Sequence, residues 1–447
     1  MPPSLEEITQ DLLKAACAAG AEAADTQAVR GTSVSIDVRG GALEHAERAE
    51  EVDVALRVLV GRRQASVSTS DTRPEILQTL AERAVMMARA APEDPYAGLA
   101  EPAQLATQWD IAALELNDPA PEPAPMDLQE DAARAEAAAL AVPGVTQVQS
   151  ASAGYTRRAQ HQAASNGFSA GFVRTDRGCS CVAICGSGTG MERDYDSDTR
   201  IFQSDLRSPE DIGTGAGERT VARAGARKPP TGTFPVLFDE RIAASLIGHL
   251  LMATNGAAIA RGSSWLLGKE GAEVLPRGLS LIEDPHRPRA MGSRPFDAEG
   301  LPTQRRALVE DGVLTGWTLD LATARKLGLA STGNARRGGG SPSPGNWNVA
   351  LSLGTASRSD LLREMGTGLW VTGMIGSTIN PNTGDYSRGA SGFWVEGGEV
   401  QYPVNECTIA GSLPEMLRRM TPANDARAHL SRVVPSLLVE GLTLAGA

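Results

Sequence analysis

The chain has 447 residues, which is more than one typical domain core accommodates, so we expect two domains. Its formal net charge of −12 argues against direct binding to nucleic acid or to an anionic membrane surface. Hydrophobic residues make up 41% of the chain, as in ordinary soluble proteins, while 48 glycines and only 4% aromatic residues favour turns and strands over a helical bundle.

The sequence predicts a cytoplasmic protein. The first eight residues lack the charged and apolar segments of a signal peptide. The longest mostly apolar stretch, Ile242–Ala260, is interrupted by polar residues such as His249, so we expect a buried helix rather than a membrane span. Five cysteines, an odd number in a long chain in which we find no signal peptide, indicate reduced thiols.

The first half of the chain combines helical spacing with alternating strand patterns. Residues 92–125 are proline-rich and predict an extended connector. Asn166 and Gly167 predict a hairpin turn, because tight turns require positive φ. The predicted helices cover residues 5–19, 74–91, 126–141 and 209–224, and predicted strands cover residues 34–38, 52–60 and 65–70.

The second half begins after a glycine-containing linker at 225–232. A strand at 234–238 precedes the predicted buried helix 242–259, and Asp311 with Gly312 predicts another hairpin. Strands mixed with a few long helices indicate an α+β fold with strand-rich antiparallel sheets. We expect an N-terminal α+β domain over residues 1–225 and a strand-rich C-terminal domain over 226–447.

A long loop is predicted at Ser331–Gly345, where Arg336 and Arg337 precede three glycines. Loops of this length in a compact domain are usually functional or disordered. The two arginines are candidate contacts for acidic side chains if the loop covers a binding site. The alternative is a mobile surface loop.

Residues 380–412 combine a polar segment with a hairpin. Asp385, Tyr386, Ser387 and Arg388 lie in a predicted glycine-punctuated loop, and two apolar runs flank Gly397-Gly398. The four residues are candidate binding residues. In the alternative interpretation Asp385 caps a turn and pairs with Arg388.

The order of residues in 380–412 resembles the C-terminal signature of the TldD/PmbA family, most closely its PmbA (TldE) branch. The resemblance extends over most of the chain and is strongest at 234–262, 331–335 and 376–411. It implies a cytoplasmic protein that pairs with a TldD-like zinc subunit. The resulting heterodimer would degrade or trim unfolded peptides.

The TldD branch carries zinc on a helix with the pattern His-Glu-x-x-x-His, in which two histidines one turn apart face one metal. The corresponding helix here has only His249, followed by Leu250, and no His-Glu dipeptide occurs in the chain. The resemblance therefore implies no catalytic residue and no metal in this chain, with zinc in the partner. It supplies no catalytic role for residues 385–388. On this resemblance, these four residues and the pair Arg336 and Arg337 would contact a peptide or the partner subunit.

Two other functions stay open at this stage. One is a peptide-binding scaffold, possibly a homodimer, that holds peptides without cleaving them. The other is an independent peptidase whose metal site uses cysteines and His249. Cys179, Cys181 and Cys185 share one strand face, but their spacing differs from known zinc patterns, so we expect a buried apolar role.

Overall fold

The N-terminal part of the protein is built on one six-stranded antiparallel sheet with helices on one face. The computed structural model describes residues 3–446, apart from the side chains of Ser377 and Thr378. The strand order is β3-β2-β1-β4-β5-β6. The strands are β1 (Ala23–Arg39), β2 (Ala42–Val60), β3 (Arg63–Thr69), β4 (Val145–Ala164), β5 (Ser169–Cys185) and β6 (Glu192–Arg200).

The helices of this part pack on the apolar face of the sheet. They are α1 (Leu5–Ala18), α2 (Pro74–Ala90), α3 (Pro125–Leu140) and α4 (Pro209–Ala222). Alternate residues of β1 and β2, such as Ala28, Val54 and Leu56, are buried against α1 and α2 because side chains of a strand point to opposite faces. The other face of the sheet carries polar residues and is partly covered by the C-terminal part.

The C-terminal part contains a mixed six-stranded sheet of order β16-β15-β14-β7-β19-β17 and a five-stranded sheet of order β10-β9-β8-β13-β18. β14 pairs in parallel with β7, and the long hairpin β15–β16 turns at Gly397 and Gly398, which both have positive φ. The first sheet uses β7 (Gly232–Phe238), β14 (Gly368–Ile379), β15 (Asp385–Glu396), β16 (Glu399–Ser412), β17 (Met420–Pro422) and β19 (Leu437–Ala445).

Shorter strands and five helices complete this part. A two-stranded ribbon, β11–β12, forms inside the predicted loop 331–345. The helices are α5 (Glu240–Ala253), α6 (Gly256–Ala260), α7 (Leu321–Leu327), α8 (Arg358–Met365) and α9 (Leu413–Arg418). The strands are β8 (Leu281–Glu283), β9 (Arg306–Glu310), β10 (Val313–Leu314), β11 (Ala335–Arg336), β12 (Ser343–Pro344), β13 (Val349–Leu351) and β18 (Arg432–Val433).

The α+β prediction is confirmed, with three local differences. The predicted helix 242–259 is two helices, because the Asn255 side chain accepts a hydrogen bond from the Ala257 N–H at 2.9 Å and caps a new helix. Asp385 to Arg388 belong to strand β15 rather than to a loop. The proline-rich connector is packed, since its Leu114 and Leu116 are buried with aromatic residues of the N-terminal sheet. The boundary between domains at 225 stays a prediction.

Two acidic residues, Asp297 and Glu299, lie close enough beside the N-terminal sheet for their charges to interact. Burial raises the pKa of Asp297, while hydrogen bonds that it accepts from the backbone N–H groups of Glu299, Leu301 and Ala335 at 2.9–3.0 Å act in the opposite direction. Burial, and then the negative charge of Asp297, raise the pKa of Glu299 to about 8. Glu299 is therefore the carboxyl that holds a proton near neutral pH.

The raised pKa of Glu299 predicts that the protein loses stability as pH rises from about 5 to 8. In this window the folded state binds a proton that the unfolded state has released, so the free energy of unfolding falls with pH. We expect the decrease in the free energy of unfolding between about pH 5 and 8 to be roughly 1–3 kcal/mol smaller in Glu299→Gln than in the unmodified protein. Urea unfolding at each pH measures this difference. The exposed Glu82→Gln on α2 is the control, and an unchanged pH dependence in Glu299→Gln would contradict the assignment.

Candidate functional site

A pocket of about 440 Å³ opens beside the C-terminal end of α5. Its walls are held by the Trp265 N–H bonded to the Pro381 carbonyl at 2.8 Å and the Leu413 N–H bonded to the Gly384 carbonyl at 2.8 Å. The lining is mostly apolar and contains one imidazole. The lining residues are His249, Met252, Ala253, Asn255, Ala258, Arg261, Ser263, Trp265, Ile379, Pro381 and Leu413.

His249 contributes the imidazole in the lining of this pocket. Its Nε2 atom is buried and has no hydrogen-bond partner among the described residues. The ring lies edge-on to Tyr386, with centroids 5.9 Å apart. Burial, and then the positive charge of Arg388, lower the pKa of His249, so the imidazole is neutral at pH 7.

The donor groups around His249 do not fit a catalytic zinc ion. Such a site takes three protein ligands with N, O or S donors. Ser245, Met252 and Ala253 occupy the helix positions one turn from His249, and Arg388 adds a positive charge that disfavours a second cation. Within residues 3–446, no three His, Cys, Asp or Glu side chains form a group that could hold a metal ion.

The four residues 385–388 lie consecutively on β15, where successive side chains point to opposite faces of the sheet. Tyr386 is buried beside His249, and its hydroxyl contacts the Met374 Sδ atom at 3.6 Å. Arg388 donates from Nε to the Gly376 carbonyl at 2.7 Å, while Asp385 is exposed and accepts from Thr383 at 2.6 Å. Asp385 and Arg388 therefore do not pair. Ser387 is partly exposed and lies between them on the strand.

Two exposed apolar side chains lie on the elements that frame the pocket. Met252 on α5 is 67% exposed, and Ile375 on β14 is 78% exposed. Ile375 follows Met374, whose sulfur also contacts the Ser245 hydroxyl at 4.0 Å. Exposed apolar groups beside a pocket are typical of protein or peptide contacts. The sequence pattern missed both, although a methionine three residues after His249 was a usable signal.

Arg336 and Arg337 lie elsewhere, on the open face of the N-terminal sheet. Arg337 is buried and forms an ion pair with Asp25, which also accepts from Arg57 Nε at 2.7 Å. Arg336 is exposed, with its guanidinium 5.6 Å from the centre of the Trp347 ring. The structure thus separates the six predicted contact residues into two places, and their contact with a peptide or partner stays a prediction.

Two cysteines of β5 are packed in the core, and an aspartate of strand β6 forms ion pairs. Cys179 and Cys181 are buried against α3 and α4, and burial raises the pKa of Cys179 to about 11. Asp196, on β6, pairs with Arg207 and Arg219 at 2.9 and 2.8 Å. The expected apolar role of these thiols is confirmed, and protonated buried thiols are poor nucleophiles.

No helix in residues 3–446 has both the length and the apolar character needed to span a membrane.

Three family models match consecutive parts of the chain. They describe domain 1 of PmbA/TldA metallopeptidases at residues 24–88, the central domain at 118–224 and the C-terminal domain at 231–446.

Individual proteins match over nearly the whole length. The metalloprotease PmbA of Escherichia coli O157:H7 is 37% identical over 444 residues, which cover 99% of this chain and 96% of that protein. A crystal structure of a candidate modulator of DNA gyrase from Bacteroides thetaiotaomicron has a TM-score of 0.91 at 26% identity, covering 99% and 98% of the two chains. TldE from Thermococcus kodakarensis shares the fold, with a TM-score of 0.86 at 22% identity, covering 98% and 99%.

Proposed function

Because this chain belongs to the PmbA/TldD family of metallopeptidases, we propose that it is the subunit without metal in a heterodimeric zinc peptidase. A TldD-like partner would supply the zinc ion and the groups that activate water. The substrate would be an unfolded peptide, which the complex degrades or trims. We place this activity in the cytoplasm.

The observation that carries the proposal is the chemistry around His249. One neutral imidazole faces a mostly apolar pocket, with serine, methionine and alanine at the neighbouring helix positions. A zinc-activated hydrolysis needs several protein ligands and an open coordination position. The pocket instead suits an apolar side chain of a peptide or of the partner subunit.

The role of this chain would be to complete the peptide channel and to stabilise the competent partner. Met252 and Ile375 present apolar side chains that gain free energy when they are removed from water. Asp385, Ser387 and Arg388 would add polar contacts at the rim of the same region. An interface with an apolar centre and a polar rim is typical of stable protein association.

Assembly with a TldD-type subunit tests the interface directly. We expect the two chains to elute as a 1:1 complex in size-exclusion chromatography with light scattering. Ile375→Asp should weaken assembly at least about tenfold, because it places a charge in an apolar contact. Met126→Asp, a similarly exposed apolar position on α3, is the matched control. A homodimer that never exchanges with the zinc subunit would contradict the proposal.

Cleavage by the assembled complex should survive the loss of the imidazole. We expect His249→Ala to keep the rate of peptide cleavage within about threefold of the unmodified complex, since no metal ligand or proton donor is lost. Peptide cleavage by the mixture of the two purified chains measures this. Loss of activity in a folded, fully assembled variant would show that His249 takes part in the reaction.

A further inference from the structure

A second cavity, of about 460 Å³, lies on the open face of the N-terminal sheet. We name it the sheet groove; its floor is the face of β1, β2, β4 and β5 turned away from α1 and α2. Residues 337–339 lie over it, and Arg294 enters from the C-terminal part. None of the residues that line the sheet groove lines the His249 pocket.

Three arginines converge at one side of the sheet groove. Arg158 on β4 lies directly opposite Arg174 on β5 in the strand register. Like charges in directly opposed positions of a sheet repel each other. Arg294 adds a third guanidinium, 5.6 Å from the centre of the Phe172 ring and 5.8 Å from that of Trp347.

The protein supplies too little negative charge for these arginines. Arg174 pairs with Asp176 Oδ2 at 3.2 Å, whereas Arg158 and Arg294 form no ion pair with a described residue. Among the described residues, the Arg294 guanidinium donates only to the backbone carbonyl of Ser293, at 2.8 Å. Burial and the neighbouring charges of Arg174 and Arg336 lower the pKa of Arg294 to about 9.

Arg337 provides a further unsatisfied donor at the roof of the sheet groove. Its side chain is only 2% exposed, and its Nη2 atom has no hydrogen-bond partner among the described residues. Buried donors without partners are uncommon in folded proteins, because each costs free energy of desolvation. An anionic ligand in the groove would supply the missing acceptors.

The opposite side of the sheet groove is acidic. Glu51 and Asp53 lie on β2, and Glu51 reaches over β1 at Gly31, where an added Cβ atom would stand 3.2 Å from its Oε1. Three strand spacings, roughly 14 Å, separate β2 from β5. The groove therefore has a negative and a positive end at a separation that a short extended peptide spans.

We propose that the sheet groove binds a peptide segment by its carboxylate, with Arg158, Arg174 and Arg294 as the positively charged contacts. Guanidinium groups bind carboxylates with two parallel hydrogen bonds, which favours this ligand class. The carboxylate belongs either to an acidic side chain or to the C-terminus of a peptide. The acidic side of the groove admits a basic or amino group of the same segment. Binding in the sheet groove requires neither the heterodimer nor cleavage of the peptide.

Fluorescence anisotropy with the full chain alone tests the proposal, using labelled peptides of one length. The first has a free C-terminal carboxylate and no acidic side chain, the second is C-terminally amidated with one Glu, and the third replaces that Glu by Gln. We expect the first or second to bind at least about tenfold more tightly than the third. Which of the two binds identifies the source of the carboxylate.

Arg158→Gln is the variant of choice because Arg158 is exposed and forms no ion pair with a described residue, so its loss should spare the fold. We expect it to weaken the tighter peptide about tenfold or more, with a smaller effect of salt on the remaining binding. Arg83→Gln, on the opposite side of the sheet, should change nothing. Equal binding of all three peptides, no binding at millimolar concentration, or an unaffected Arg158→Gln variant would each overturn the proposal.

Discussion

Replacing Asp25 by alanine is expected to lower the free energy of unfolding by about 3–5 kcal/mol. Asp25 is the shared anion of two buried cations, Arg57 and Arg337, whose side chains are 5% and 2% exposed. Burial acts to raise the pKa of Asp25, but the charges of Arg337 and Arg57 lower it below its usual value. Removing the carboxylate leaves both guanidinium groups buried without their anion.

Urea unfolding at pH 7 measures the effect of Asp25→Ala. Asp11→Ala is the control, because Asp11 pairs with Lys14 at 3.0 Å on an exposed helix face and should matter by less than about 0.5 kcal/mol. Arg337 also connects residues 331–345 to the N-terminal sheet, so Asp25→Ala should loosen that segment. A change in stability as small as that of Asp11→Ala would show that the ion pairs contribute little.

Glu283→Ala is expected to have an effect of similar size, about 3–5 kcal/mol. Glu283 is fully buried and pairs with Arg306 at 2.8 Å. It also accepts from Asn334 Nδ2 at 3.0 Å and from the Trp347 N–H at 2.6 Å. One carboxylate thus connects Asn334 and Trp347, which lie near the two ends of the segment 331–345, to strand β8.

The loss should be visible both in urea unfolding and in limited proteolysis. Trypsin cleavage after Arg336 or Arg337 should become faster in Glu283→Ala, because the ends of the segment are no longer held. Glu310→Ala, an exposed position on the neighbouring strand β9, is the matched control. Unchanged cleavage rates in Glu283→Ala would indicate that other contacts hold the segment.

Much of the fold could be predicted because local chemistry determines it. Gly397 and Gly398 place the hairpin of β15 and β16, and Asp320 caps α7 by accepting from the Thr323 N–H at 2.8 Å. Helical spacing found α1 within one residue of its observed end. Turn glycines, helix caps and helical spacing act between residues close in sequence, so they determine local structure whichever distant strands pair.

The site could be predicted only in part, because contacts distant in sequence decide it. The ion pair of Arg337 with Asp25, 312 residues earlier, could not be predicted from the local sequence. The position of Arg294 beside Phe172 likewise follows from the docking of the C-terminal part on the sheet. The sequence identified His249 as a lone imidazole on its helix, while its contact with the Tyr386 ring required the structure.

The most direct test of the proposed function is zinc content together with cleavage of an unfolded peptide. Both are measured for this chain alone and for its mixture with a TldD-type subunit. We expect neither bound zinc nor cleavage for the chain alone, and chelator-sensitive cleavage only in the mixture. Stoichiometric zinc and chelator-sensitive cleavage by this chain alone would contradict the proposed function.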